Sequence, residues 1–378
     1  MRVKRGDAKT MDRFDTKQTM RAVAVFGAGD VRIVDDVPIP KPNDYEVLVK
    51  VVHCGFCNGS DFQIILNTME ETEGLQPYPT ILGHEGVGYA VKLGKKVRYI
   101  KPGDRFIHNN LHPDVGAGYS KTYGGMAEYG LVADHRAMIE DGFCPKEMSR
   151  LDFPFYKKFW QVPRDFPFTY GAMLLSLSES LSAAKNFGVT KGSSVLVFGA
   201  GPMGTAVAAY SKIIGADFLA VVDGRQERLD NARTVAHADQ IINFEKEDIK
   251  EALQGRLFDV AIDAVGLSDV LIQASSFLKP GGTAGSMGVL KKDDLQMNLG
   301  RLKNNTRLHM LNFPFGEYDV MEENIRLIRE KKIRPEDFYS HIVPMEEIGR
   351  AMELVKTKQA LKVILNISPE EAGREGAE

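Results

Sequence analysis

Val195-Leu196-Val197-Phe198 runs into Gly199-Ala200-Gly201-Pro202-Met203-Gly204, and an Ala-rich, helix-favouring segment from Thr205 to Ile214 follows. A second apolar run, Phe218-Leu219-Ala220-Val221-Val222, then ends at Asp223. Strand, G-x-G-x-x-G, helix, strand and acid in that order form the dinucleotide-binding fingerprint. Each position has a physical reason. Gly199 permits the tight turn out of the strand, Gly201 lets backbone approach a pyrophosphate, and Gly204 lets the helix lie close on the sheet. Pro202 and Met203 in the same turn are read as cofactor-binding, and the free N–H groups and positive dipole end of the helix that follows suit phosphate. Asp223 can accept hydrogen bonds from both ribose hydroxyls, which favours NAD over NADP because a 2′-phosphate would meet its charge.

The chain carries its own counter-example. Phe26-Gly27-Ala28-Gly29-Asp30 has no third glycine, and a strand-like run, Val31-Arg32-Ile33-Val34, stands where a helix is needed. That stretch reads as a hairpin turn. At 378 residues there is room for two domains. A net charge of −3, with no basic block, gives no reason to expect nucleic acid. No apolar run is long enough to span a membrane. Residues 1–20 mix charges without an apolar core and read as a disordered extension rather than a signal or transit peptide. Three cysteines make no disulfide framework, which suits a reducing cytoplasm. Residues 368–378 read as a mobile tail.

Working outward, residues 21–54 alternate short apolar runs with Pro/Gly-rich turns and show no helical period, the pattern of a β-rich subdomain. Beyond them come Cys54-Gly55-Phe56-Cys57-Asn58-Gly59-Ser60-Asp61, Gly83-His84-Glu85-Gly86-Val87-Gly88, Lys101-Pro102-Gly103-Asp104-Arg105-Phe106 and Gly124-Gly125-Met126-Ala127-Glu128-Tyr129. With the fingerprint, this succession resembles the medium-chain dehydrogenase/reductases of the zinc alcohol and polyol dehydrogenase type, over roughly residues 21–367. The resemblance implies an α/β protein: a GroES-like β-rich catalytic domain (21–170), a Rossmann domain with a doubly wound parallel sheet (171–316), and a return to the catalytic domain (317–367).

It also implies that Cys57 and His84 hold one catalytic Zn²⁺, with Glu85 behind the metal or bound to it, and Ser60 passing on a hydroxyl proton. Thiolate and imidazole are ligand types that Zn²⁺ prefers. The alternative for each is a packed residue, since buried Cys often acts as a small hydrophobe. Three departures from the family pattern stand out. Asn58-Gly59 puts one more residue than usual between Cys57 and Ser60, and Cys54 offers a second thiol. Where the family has its third ligand, ungapped counting reaches Leu175. Glu179, one helical turn on, is the substitute, or else a solvent-facing or counter-charge residue. The four-cysteine lobe of a structural zinc is missing, and His108 and His112 there read as surface or substrate contacts. Finally, residues 134–162 are longer than the family needs. Their run Phe153-Pro154-Phe155-Tyr156-Lys157-Lys158-Phe159-Trp160 either caps the cleft, joins subunits or packs on the core, and Cys144 reads as structural or incidental.

The rest of the Rossmann half alternates strand and helix. Phe258 to Gly266 and Thr283 to Val289 end beside the expected nicotinamide, with Val265 and Met287 read as cofactor-binding. Arg225 and Arg228 flank the adenosine, and Arg225 leaves NADP as second choice. A helix from Met321 to Lys331 and a strand near Leu361 to Leu365 close the chain. The expected activity is NAD-dependent interconversion of a secondary alcohol, polyol or sugar-derived, and a ketone by a homodimer or homotetramer acting on small molecules. Gln63 lies where some relatives carry a relay histidine, and an amide cannot titrate there. A zinc-independent reductase of quinones or enones is the alternative on the same fold, and a non-catalytic NAD-binding protein the alternative of another class.

Overall fold

The computed structural model describes residues 18–69, 77–142, 161–289, 291–312 and 316–372. The expectations for residues 1–17, for Cys144 and the aromatic-basic run at 153–160, and for residues 373–378 lie outside the described residues. Strands β1 (Thr19–Gly27), β2 (Asp30–Pro38), β3 (Glu46–Phe56), β4 (Thr80–Ile81), β5 (Glu85–Leu93), β6 (Arg105–Ile107), β7 (Ser120–Lys121), β8 (Tyr129–Ala133) and β9 (Gln161–Val162) belong to the catalytic half. Helices α1 (Ser60–Leu66) and α2 (His135–Glu140) decorate it. Next comes α3 (Phe168–Asn186), a helix buried on nearly every side. It packs on β3, β5 and β6 and also on the nucleotide half, so it joins the two.

The Rossmann half holds β10 (Ser194–Phe198), α4 (Pro202–Ile214), β11 (Phe218–Asp223), α5 (Gln226–Val235), β12 (Gln240–Asn243), α6 (Ile249–Ala252), β13 (Phe258–Asp263), α7 (Ser268–Ser276), β14 (Leu278–Ser286) and β15 (Arg307–Met310). Its six strands lie in the order β12-β11-β10-β13-β14-β15, every neighbouring pair parallel. Counted within the sheet this is the doubly wound order 3-2-1-4-5-6, and the order reverses between β10 and β13. β10 is buried along its whole length, as a strand covered on both faces must be. α4 starts with Pro202 at its first position and stops at Gly215, φ 114°, the usual proline-in, glycine-out punctuation.

After it come α8 (Glu317–Arg329), β16 (His341–Pro344), α9 (Ile348–Lys356), β17 (Val363–Asn366) and α10 (Pro369–Ala372). α8 begins four residues earlier than the sequence suggested, because Gly316 at φ 81° starts it and acidic Glu317 and Asp319 fill its first turn. It packs on α3, and buried Asn324 accepts from Tyr210 of α4 at 2.5 Å and donates to Ser178 of α3 at 3.0 Å. The return to the catalytic sheet is made by β16 and β17, in the order β16-β17-β3-β5-β6-β9, with β8 also on β3. The other catalytic sheet is β2-β1-β4-β7.

Two boundaries shift. β1 starts at Thr19 with Met20 fully buried, inside the stretch read as an extension. Ser368, read as tail, is buried with its hydroxyl donating to Val51 O at 2.7 Å. In both cases pairing with the sheet outweighs a locally polar composition. The Gly27/Gly29 stretch is the β1–β2 hairpin, as read.

Candidate functional site

A cleft of about 1140 Å³ runs between the halves, beyond the carboxyl ends of β10, β11 and β13, where open α/β sheets bind ligands. At one end stands the fingerprint. Gly199 turns with φ 96°, and a Cβ on Gly204 would lie 1.9 Å from the Gly199 carbonyl oxygen, so glycine alone permits this approach of helix to loop. A Cβ on Gly201 would meet only Arg228 Nη1, at 3.9 Å. That open space beside a guanidinium at the N-terminus of α4 fits a pyrophosphate.

Asp223 closes β11 with its carboxylate held by two backbone donors, Ala200 N–H and Arg225 N–H, both at 2.8 Å. The residue lines the cleft. Arg225 turns its guanidinium to Thr357 O at 3.1 Å instead of resting on Asp223. Pro202, Met203, Val265 and Met287 line the same cleft. Sequence reading missed Asp263, a fully buried carboxylate that accepts from Val265 N–H at 2.8 Å, Gly266 N–H at 3.0 Å and Ser286 Oγ at 2.9 Å. It ties the ends of β13 and β14 together under that wall.

At the other end, the turn after β3 delivers Cys57, whose N–H donates to Asp61 Oδ2 at 2.9 Å. The spacer Asn58-Gly59, one residue longer than the family's, is absorbed in this turn, and Ser60 begins α1. His84 and Glu85 enter from the start of β5. Gly55 on β3 makes the space, since a Cβ there would lie 2.1 Å from Glu85 Oε2. Donor atoms of Cys57, His84 and Glu85 all lie within 4.8 Å of one another. His84 Nδ1 faces Asp61 Oδ1 at 3.5 Å, which leaves Nε2 on the side of Glu85 Oε1, 3.7 Å away, and Ser60 Oγ, 3.5 Å away. Sulfur, imidazole and carboxylate with a carboxylate behind the imidazole suit Zn²⁺. Burial alone would push the Cys57 thiol up, but the hydrogen bond and charge of His84 bring it below its ordinary value. Burial pulls His84 down, yet Asp61 and then Cys57 raise it well above.

Among the described residues Glu179 stands outside that donor set but lines the same cleft, as do Leu175, Gln63, His108 and Tyr123. Burial first, then the charge of Glu317, push the Glu179 carboxyl well above its ordinary value. His108 presents Nδ1 to the His84 carbonyl at 3.0 Å, whereas His112 turns away to Lys41 O at 3.2 Å. Cys54 is fully buried, and burial raises its thiol well above the ordinary value. Lys362 was not anticipated. Its Nζ lies 2.6 Å from Glu85 Oε1 and 2.5 Å from Oε2, and both residues are almost completely buried. The available signal was a lone lysine inside the last apolar strand run.

Comparison with known proteins agrees with this geometry. The profile "Alcohol dehydrogenase GroES-like domain" matches residues 43–140 and the profile "Zinc-binding dehydrogenase" residues 202–330; together they take in more than half of the chain. Sorbitol dehydrogenase of Ovis aries is 29% identical over 360 residues, covering 92% of this chain and 96% of that protein. In fold, the chain is similar to a short chain alcohol dehydrogenase from E. coli CFT073 complexed with NADH (TM-score 0.73, 22% identity, 93% of this chain and 100% of that one). It is likewise similar to a zinc-binding dehydrogenase from Sinorhizobium meliloti 1021 bound to NADP (TM-score 0.71, 23% identity, 93% and 100%). With a donor set at one end of the cleft and a nucleotide fingerprint at the other, the chain belongs to the medium-chain dehydrogenase/reductases of the zinc-containing alcohol and polyol dehydrogenase type.

Proposed function

We propose that the protein oxidises a secondary alcohol carrying further hydroxyls, a polyol or sugar derivative, to the ketone with NAD, and runs the reverse reduction. The observation that carries this is the convergence of Cys57, His84 and Glu85 on one face of the cleft that Gly201 and Asp223 also line. Bound there, zinc would supply Lewis acidity toward the alcohol oxygen and a nicotinamide cofactor would supply the capacity for hydride transfer. Cys57, His84 and Glu85 would hold the metal, Asp61 fixes the His84 ring, and Lys362 fixes the Glu85 carboxylate. Ser60 would take the hydroxyl proton, and because the Gln63 amide cannot titrate, the proton would pass on to water. Glu179, His108 and Tyr123 supply polar contacts for the other hydroxyls, which supports a polyhydroxy substrate. Asp223 supports NAD, and Arg225, engaged with Thr357, leaves NADP second. The sparse cysteines support a cytoplasmic setting. A homodimer or homotetramer is the expected assembly, to be read by light scattering.

Elemental analysis after dialysis tests the centre, on native protein, Cys57→Ala and Glu179→Ala. About one zinc per subunit, lost with Cys57→Ala and kept with Glu179→Ala, fits the three-donor set. Loss in both makes Glu179 a ligand as well. Native protein that holds no zinc even after Zn²⁺ is added back would instead be the zinc-independent reductase that Leu175 permits.

A further inference from the structure

Two residues on the wall of the metal end hold backbone angles that side chains avoid. His108 has φ 54° and Tyr123 φ 74°, left-handed values that cost a bulky residue energy and persist where the surroundings fix them. Tyr123 is fixed from both sides. Before it, buried Thr122 donates its N–H to Ile81 O at 2.9 Å, and its hydroxyl meets that of Thr80 at 2.9 Å. After it, Gly125 N–H donates to Gly83 O at 2.6 Å, one residue ahead of His84. A Cβ on Gly125 would lie 2.8 Å from that same oxygen, so the backbone approaches His84 this closely only as glycine.

Between these anchors Tyr123 lines the cleft. Its ring lies 5.0 Å from that of His84, tilted by 56°, and 6.4 Å from that of His108, edge on. Packing on two imidazoles would be served equally by phenylalanine. The hydroxyl is what packing leaves over: it makes no hydrogen bond to any described residue, although a phenol away from bulk water ordinarily finds a partner. A substrate whose carbinol oxygen sits among Cys57, His84 and Glu85 brings the oxygen on its neighbouring carbon to the wall beside His84, which Tyr123 forms. A phenol can donate to an alcohol or accept from it.

We propose that Tyr123 is the specificity-determining residue for the hydroxyl next to the carbinol, so that vicinal diols are preferred over plain secondary alcohols. The inference rests on the alcohol reading above and commits its substrate class to one side chain. It also gives the left-handed backbone at Tyr123 a purpose, since such strain gathers where a ligand is held.

The test uses full-length native protein and Tyr123→Phe, which keeps the ring and removes only the hydroxyl. The probes are propane-1,2-diol and propan-2-ol, which share a secondary carbinol and differ by the neighbouring hydroxyl. Turnover with NAD gives kcat/KM for each, NADH fluorescence gives the Kd of the NADH complex for each, and elemental analysis gives zinc per subunit. Native protein should prefer the diol. Tyr123→Phe should lower the preference for diol over mono-alcohol about tenfold in both kcat/KM and Kd, with zinc content kept. Equal losses with both probes, or lost zinc, would mark a residue that acts through His84 and overturn the proposal. An unchanged preference overturns it as well. Native protein that turns over neither alcohol with NAD fails the alcohol reading itself, and the specificity with it.

Discussion

The two ends of the cleft are built in opposite ways. The nucleotide end comes mostly from one continuous stretch, with Gly199, Gly201, Gly204, Asp223 and Arg228 all within two strands and the helices that follow them. The metal end is assembled from afar: Cys57 after β3, His84 just before β5 and Glu85 at its start, Glu179 on α3 and Lys362 beside β17. Backbone geometry governs the first, where glycines clear space for phosphate and helix. Buried charge governs the second, where carboxylates, an imidazole and an ammonium hold one another in place. The first should therefore fail through sterics and the second through electrostatics.

The largest effect is expected from Lys362→Met. It leaves the Glu85 carboxylate, 2% exposed, without its ammonium partner, and breaking one side of a buried pair costs about 3–5 kcal/mol. Urea unfolding with zinc chelated measures it. Adding Glu85→Gln to Lys362→Met should recover part of the loss, because neither charge then remains. A double variant no more stable than the single one would mean that packing, rather than charge, holds this end.

That pair also shows where the sequence stops being legible. Each nucleotide-end residue serves its neighbours in the chain, so strand, glycine spacing and terminal acid could be read directly, including the rejection of Gly27-Ala28-Gly29 for want of a helix. The donors Cys57, His84 and Glu85 came only by resemblance, since no local spacing unites them. Lys362 and Asp263 stayed hidden because partners that reveal them, Glu85 for the lysine and the Ser286 hydroxyl for the aspartate, become neighbours only through sheet pairing. For the same reason Met20 and Ser368, polar in local context, were placed outside the fold although β-pairing and β3 bury them.

At the nucleotide end, Gly204→Ala and Gly201→Ala should separate fold from binding. The Gly204 Cβ would stand 1.9 Å from a carbonyl oxygen, and forcing helix from loop should cost about 1–3 kcal/mol, visible as a lower Tm. The Gly201 Cβ meets nothing nearer than 3.9 Å, so Tm should hold while NADH affinity falls as the methyl enters the phosphate space. Equal Tm losses in both would contradict the space assigned over Gly201. A smaller change, Asp61→Asn, removes the carboxylate that faces His84 Nδ1 at 3.5 Å. Zinc affinity should drop about 10–100-fold with little change in NADH binding, as read by competition with a zinc chelator.

The gentlest probe is pH. His53 on β3, His108 after β6 and His135 on α2 are each pushed down by burial to about 4, and all three lie on the catalytic side. Unfolded histidine titrates near ~6.5. Below that value the unfolded chain takes up protons that the folded chain refuses, so stability falls as pH drops toward 4 and levels off beneath it. Each such histidine contributes a slope of up to about 1.4 kcal/mol per pH unit. His53→Gln should remove about one proton from that slope in urea titrations between these limits. Hydrogen exchange then locates the loss. If the two ends are held by independent physics, amides of β3 and β5 lose protection on acidification before those of β10 and β11. Simultaneous loss would mean that α3, which packs on both halves, couples them into one unfolding unit, so that charge buried at the metal end also sets the stability of the glycine-built end.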